Sequence, residues 1–197
     1  MLFRSSSNDN SYYCVYEKCA SDNHAYHPGE DWNVTNGNGN WPNGDRGAPI
    51  YAIADGVVLF SDTGYGDTII IVHKIGGEKN SYEYITSLYG HMESPSLYKK
   101  GDQVRKGDII GNIGASGTDS RFPHLHFEIR KELMISIEPD TNEISLKYPA
   151  SMWPAKNNER DGDHGQSFIE QNYYDPSNFL ANQIFKKETV ETSPIQE

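Results

Sequence analysis

Cysteine is nearly missing from this chain: Cys14 and Cys19 are the only two in 197 residues. With no second cysteine pair, a thiolate zinc site is not expected from them. They lie close together in an aromatic-rich N-terminal segment, where a local disulfide and a reduced pair are both compatible with the sequence. Long apolar runs are missing too. No stretch approaches the roughly 20 residues that a membrane span needs. The mean hydropathy of −0.72 and the 23% of charged residues describe a water-soluble chain with long polar loops. Basic charge is scarce: 17 Lys and Arg stand against 28 Asp and Glu, a net charge of −11. That excludes nucleic acid as the expected partner, because phosphate binding wants clustered Lys and Arg. It also argues against simple adsorption onto an anionic surface. Residues 1–8 hold no apolar h-region, so no signal peptide is read there.

What is present is strand patterning with Gly-rich turns. The length suits one domain with decorations. Residues 1–26 read as an irregular segment, in which Tyr12–Tyr16 is the one strand candidate. An Asn/Gly-rich loop spans 33–47. Strands are then expected at Pro49–Ala54, Gly56–Phe60, Asp67–His73, Tyr82–Met92 and on both sides of a turn within Gly101–Gly111. No segment has convincing helical periodicity, so the pattern is an all-β sandwich or barrel. From Lys131 to Tyr174 the character changes: a hairpin (Met134–Ile137 with Ile144–Tyr148) precedes a loop rich in Pro, Asn, Asp and Gly. Apolar anchoring resumes at Tyr173–Leu180, and the last residues are polar. The expected division is 1–26, a domain at 27–180 with an insertion at 131–172, and a polar tail at 181–197.

The run His124-Leu125-His126-Phe127-Glu128-Ile129 alternates with the period of a half-buried strand. Leu125, Phe127 and Ile129 then face a core, while His124, His126 and Glu128 share the other face. Two imidazoles on one strand face indicate a metal, or one metal ligand beside a catalytic neighbour. Upstream stand His27 and Asp31, four apart but separated by Pro28-Gly29, which disfavours a helix and favours a turn that brings both side chains round. His91 ends a strand. A hydrolytic zinc site keeps three protein ligands and leaves the fourth position to water. Two imidazoles and a carboxylate suit zinc, and the remaining histidines suit acid–base work near neutral pH.

This ordered set resembles the lysostaphin/LytM-type zinc metallopeptidases, which cleave peptide cross-links in bacterial cell walls. The text between agrees: Gly47–Ala52, Ala54–Val58, Tyr89–Met92, Val104–Gly111, Pro123–Glu128 and the closing Asp175-Pro176. The resemblance implies an all-β barrel-sandwich of the duplicated hybrid motif type. It implies one catalytic Zn²⁺ held by His27, Asp31 and His126, and His91 and His124 as catalytic histidines. One of the two would act as general base and the other would stabilise the oxyanion or shuttle a proton, with the assignment open. The implied substrate is a peptidoglycan stem peptide or cross-bridge, the implied location extracytoplasmic, and a monomer is expected. Two other classes were weighed. A catalytically silent relative that activates another cell-wall hydrolase would typically lack ligands, and this chain lacks none. A lipoyl-type carrier would need a Met-Lys motif, and none occurs.

Departures from the family pattern lie ahead of His27 (Tyr16–Asp22), at Glu30 and Trp32 around Asp31, and in the long 131–174 excursion. Of the remaining histidines, His73 reads as structural, and His24 and His164 as solvated. Glu128 reads either as an orienting partner of a histidine or as a solvated or salt-bridged group. Trp32, Trp41 and Tyr65 read as packing rather than cleft-lining, and Asp161–Gly165 lacks the ligands of a calcium loop.

Overall fold

The computed structural model describes residues 3–4, 28–33, 45–76, 82–94, 96–117, 123–151 and 164–182. His27, both cysteines, the Tyr12–Tyr16 strand candidate, His24 and Trp41 lie outside the described residues. Among the described residues twelve strands occur: β1 (Phe3–Arg4), β2 (Glu30–Asn33), β3 (Pro49–Tyr51), β4 (Gly56–Gly64), β5 (Gly66–Gly76), β6 (Tyr82–Met92), β7 (Gln103–Val104), β8 (Ile109–Asn112), β9 (Leu125–Arg130), β10 (Ile135–Ile137), β11 (Ile144–Leu146) and β12 (Tyr173–Tyr174). The protein is all-β, as the strand pattern and the resemblance imply.

Eight strands make one antiparallel sheet in the order β1-β2-β9-β6-β5-β4-β7, and β12 takes the edge of β9 beyond the end of β2. The pair β3–β8 is a second small sheet. Between these two layers sits the main core, in which Ile50 and Ile110 meet Ile69, Ile71, Tyr89 and Phe127. The run Thr68–His73 on β5 is buried at every position. Its second face is covered as well: Ile70 packs with Leu88 and Ala150, and Val72 with Leu59 and Ile135. The β10–β11 hairpin, expected from the sequence, supplies part of that cover.

Two expectations are corrected here. The excursion holds helix: α1 spans His164–Asn172, and residues 176–182 are helical as well. Ile169 of α1 packs with Met134 and Tyr173, so this short helix is held by tertiary contacts rather than by its own periodicity. The second helical segment starts on local chemistry. Asp175 accepts the Asn178 N–H on Oδ1 at 2.8 Å, and Pro176 follows as the first helical residue. The other correction concerns β9, which is not half-buried. All six of its residues are buried, Leu125, Phe127 and Ile129 in the main core and His126, Glu128 and Arg130 on the opposite face. No helix among the described residues is long and apolar enough to cross a membrane.

Candidate active site

Three neighbouring strands deliver the polar residues to one end of the large sheet. Asp31 lies on β2 directly opposite His126 on β9, and Gly90 on β6 is opposite His126 from the other side. The expected turn at His27–Asp31 is therefore corrected at its second member: antiparallel pairing with β9 makes Asp31 a strand residue. His124 immediately precedes β9. Gly90 matters for close approach, since a Cβ there would stand 3.0 Å from the Tyr65 Cβ and 3.4 Å from that of His126. Without it the two rings come together, with centroids 4.4 Å apart. Tyr65, read from sequence as a packing residue, is thus a wall of the site.

His91 is the next residue and departs from strand geometry, with φ at +57°. A side chain in the left-handed region costs roughly 1–2 kcal/mol, and neighbouring contacts hold it there. Its N–H donates to the Tyr65 carbonyl at 2.7 Å, and its own carbonyl accepts from Gly114 N–H at 3.0 Å. Nδ1–H donates to the Ser116 carbonyl at 2.8 Å, which leaves the lone pair of the neutral ring on Nε2. Burial, helped by the adjacent His124, lowers the pKa of His91 to about 4 against the pull of the Ser116 carbonyl. The His91 and His124 ring centroids are 4.7 Å apart, and those of His91 and His126 are 6.0 Å apart.

Around Asp31 the nitrogens converge. Its Oδ1 is 3.3 Å from His126 Nδ1 and 3.6 Å from His124 Nε2. The side chains of Asp31 and His124 keep about a fifth of their surface in solvent (21% and 19%), while His126 is sealed at 1%. The site therefore opens at Asp31 and His124. On the sealed side, His126 Nε2–H donates to Glu128 Oε1 at 2.9 Å, and Arg130 Nε donates to Glu128 Oε2 at 2.6 Å. Burial by itself would lower the pKa of His126, but the hydrogen bonds and charges of Asp31 and Glu128 raise it to about 9. Burial alone would raise Glu128, yet Arg130 and His126 hold its carboxyl below the usual range. Of the two roles read for Glu128, the structure shows both the histidine contact and a salt bridge, and shows the solvated alternative to be wrong.

Glu30, which breaks the family pattern, is buried and receives three donors. Trp32 Nε1–H reaches Oε2 at 2.7 Å, Ser177 Oγ–H reaches Oε2 at 2.6 Å, and Ser177 N–H lies 3.3 Å from Oε1. The closing segment after Asp175-Pro176 is thereby tied to the strand that carries Asp31. Trp32 otherwise packs on Phe127 at 4.9 Å between centroids. His73 is interior and remote from this set, donating from Nδ1 to the Asp55 carbonyl at 2.9 Å and accepting from Ser87 Oγ at Nε2 at 2.7 Å. Ser116, Arg130 and Ser177 were not singled out from the sequence. Only Arg130 had a signal, being two residues beyond Glu128 on the same strand face.

The chain matches the sequence model of Peptidase family M23 over residues 27–139. It belongs to that family. It is 40% identical over 89 residues to the murein hydrolase activator EnvC of Escherichia coli, a match covering 44% of this chain and 19% of that protein. It is 38% identical over 84 residues to the peptidoglycan DD-endopeptidase ShyC of Vibrio cholerae, covering 42% of this chain and 17% of that protein. Among solved structures, the catalytic domain of the antimicrobial peptidase lysostaphin from Staphylococcus simulans is similar, with 23% identity, 79% and 80% of the two chains covered, and a TM-score of 0.46. The M23 match thus spans less than a fifth of the length of these two curated relatives.

The donor chemistry bears on whether this M23 site fits zinc. With Nε2–H committed to Glu128, His126 turns Nδ1 toward Asp31 Oδ1 at 3.3 Å. A proton holds the two together while the ring is charged, and a cation can take that proton's place between the ring nitrogen and the carboxylate. Two ligands of a tetrahedral zinc stand about 3.4 Å apart at ordinary ligand distances. The pair therefore fits a cation. Among the described residues no group of three or more His, Cys, Asp or Glu side chains is placed to hold a metal ion, and the third donor of the resemblance, His27, lies outside them.

Proposed function

We propose that this M23 chain is a zinc-dependent metalloendopeptidase acting on peptide bonds of peptidoglycan, with residues 27–180 as its catalytic unit and 131–172 as an insertion. The observation that carries the reading is the meeting of Asp31, His91, His124 and His126 at one solvent-reaching end of the sheet, with Asp31 Oδ1 and His126 Nδ1 placed 3.3 Å apart. Asp31 and His126, with His27, would hold the metal. When bound, zinc would polarise the scissile carbonyl and bring water within reach of deprotonation near neutral pH.

The remaining work falls to the chain's own groups. His91, its Nδ1–H occupied by Ser116, accepts the proton of the attacking water at Nε2. His124 faces the same space and holds the negative charge that develops on the carbonyl oxygen. Glu128 keeps His126 in the tautomer whose Nδ1 points into the site. A peptidoglycan substrate would require the protein to work outside the cytoplasm.

A second reading has a specific observation behind it: the 40% identity to a protein named as a murein hydrolase activator. One experiment separates the two. Zinc content and the release of cleaved stem peptides from purified sacculi are measured for the wild type and for His91→Ala. One zinc per chain with metal-dependent release, and a variant that keeps its zinc but loses turnover by about 100-fold or more, is the expected result. Zinc without cleavage, joined to acceleration of a second hydrolase, would establish the activator. Near wild-type turnover in His91→Ala would remove that residue from the chemistry.

A further inference from the structure

On the buried face of β9, every second residue is charged or chargeable and each touches the next. His126 Nε2 reaches Glu128 Oε1 at 2.9 Å, and Glu128 Oε2 takes Arg130 Nε at 2.6 Å. Arg130 then directs two of its remaining donors at the excursion: Nη2 donates to the Ala150 carbonyl at 2.6 Å and Nη1 lies 3.4 Å from that of Pro149. Its guanidinium also lies over the Tyr173 ring, 5.8 Å from the centroid. All three β9 side chains are within about 1% of complete burial. Isolated buried charges of this kind are costly unless each is paired and fully hydrogen-bonded. The surface has cheaper ways to close a sheet, so the placement points to work done at its far end.

We infer that Glu128 and Arg130 are positioning residues for the metal donor His126, with the 149–150 carbonyls of the excursion as their anchor. The inference rests on the metal reading of His126 given above. The carboxylate holds Nε2 protonated, so Nδ1 presents its lone pair toward Asp31, and its charge makes that nitrogen a stronger donor. Arg130 in turn aims the Glu128 carboxylate through its Nε–H. The excursion is then part of the site's support, since without residues 149–150 two of the guanidinium's donors would be buried and unmatched.

The test measures Zn²⁺ affinity of the full chain by competition with a chromophoric chelator, alongside ¹⁵N spectra of the metal-free chain, recorded above the ring's pKa of about 9, that report which His126 nitrogen carries the proton. Glu128→Gln keeps an acceptor of the same shape, and we expect an affinity loss of about 10-fold with the tautomer retained. The double variant Glu128→Leu/Arg130→Met removes both buried charges together, so neither is left without the other, and its circular dichroism is compared with that of the wild type to check the fold. It should lose about 100-fold in affinity, and the His126 proton should no longer be confined to Nε2. A merely structural pair would give a folded double variant with wild-type affinity and tautomer, which overturns the inference. Should the wild-type chain itself take up no zinc, the metal reading fails instead.

Discussion

Replacing Gly66 by alanine tests the device that holds His91. Gly66 has φ of +62°, and a Cβ built on it falls upon the carbonyl and hydroxyl of Ser116. Those atoms belong to a backbone segment, not to the end of a flexible side chain, so the segment must move. Ser116 carries three bonds at this point. Its carbonyl accepts from His91 Nδ1–H at 2.8 Å, its Oγ accepts from the Asp67 N–H at 2.7 Å, and its hydroxyl donates to the Met92 carbonyl at 2.7 Å. The left-handed conformation costs alanine roughly 1 kcal/mol relative to glycine. Three weakened hydrogen bonds at about 1 kcal/mol each bring the total to about 3–4 kcal/mol. Against an ordinary stability of about 5–15 kcal/mol, the variant still folds. Urea unfolding followed by tryptophan fluorescence measures the loss through the midpoint at unchanged slope. The same variant should lose peptide release, because the His91 ring is no longer fixed with its lone pair on Nε2. A loss below about 1 kcal/mol with full activity would show that the Ser116 segment yields freely, and would refute the argument that it clamps His91.

Two further outcomes follow from buried groups given no part in the proposed chemistry. Burial holds the pKa of His73 below its ordinary 6.5, against the opposing pull of the Asp55 carbonyl and charge. The unfolded chain thus takes a proton below pH 6.5 that the folded chain refuses. Stability is complete above that pH and falls as pH drops toward the folded value, with a slope of at most about 1.4 kcal/mol per pH unit from this group. His73→Gln should flatten the difference in unfolding free energy between pH 7 and pH 5, and an unaltered pH slope would contradict the assignment. Ser177→Ala removes the 2.6 Å hydroxyl bond to the Glu30 carboxylate while leaving the Trp32 and backbone donors in place. Thermal unfolding should report a loss of about 1.5 kcal/mol, the low end for a bond to a charged group; no shift would mean that Glu30 is held without it.

The strands at Pro49–Tyr51, Tyr82–Met92 and Leu125–Arg130 were legible because period-2 alternation and β-branched runs are local signals. The same alternation misled about burial. It made the strand half-buried and left Glu128 open between an orienting partner of a histidine and a solvated or salt-bridged group, since nothing near it in sequence announces that residues 149–150 will supply acceptors to Arg130. The helix at His164–Asn172 escaped because nine residues with Phe168 and Ile169 as its apolar anchors are too few to show a period. The helical segment after Asp175 was within reach, as Asp-Pro is a helix-start signal, but the dipeptide was read only as a family ending. Asp31 was assigned to a turn on the strength of Pro28-Gly29, whereas its strand exists through pairing with β9. The left-handed His91 could not be read at all. Its conformation is set by Tyr65 and Ser116, and no residue beside it in the chain requires it.

Asp31 and His126 face each other in register although 95 residues separate them along the chain. Closing so long a loop costs entropy before any contact is returned, so such pairings form late and folds rich in them form slowly. β12 must also dock on β9, which requires the chain as far as Tyr174. The arrangement is thereby a timer. A partly folded chain can own every residue of the site and still have no site.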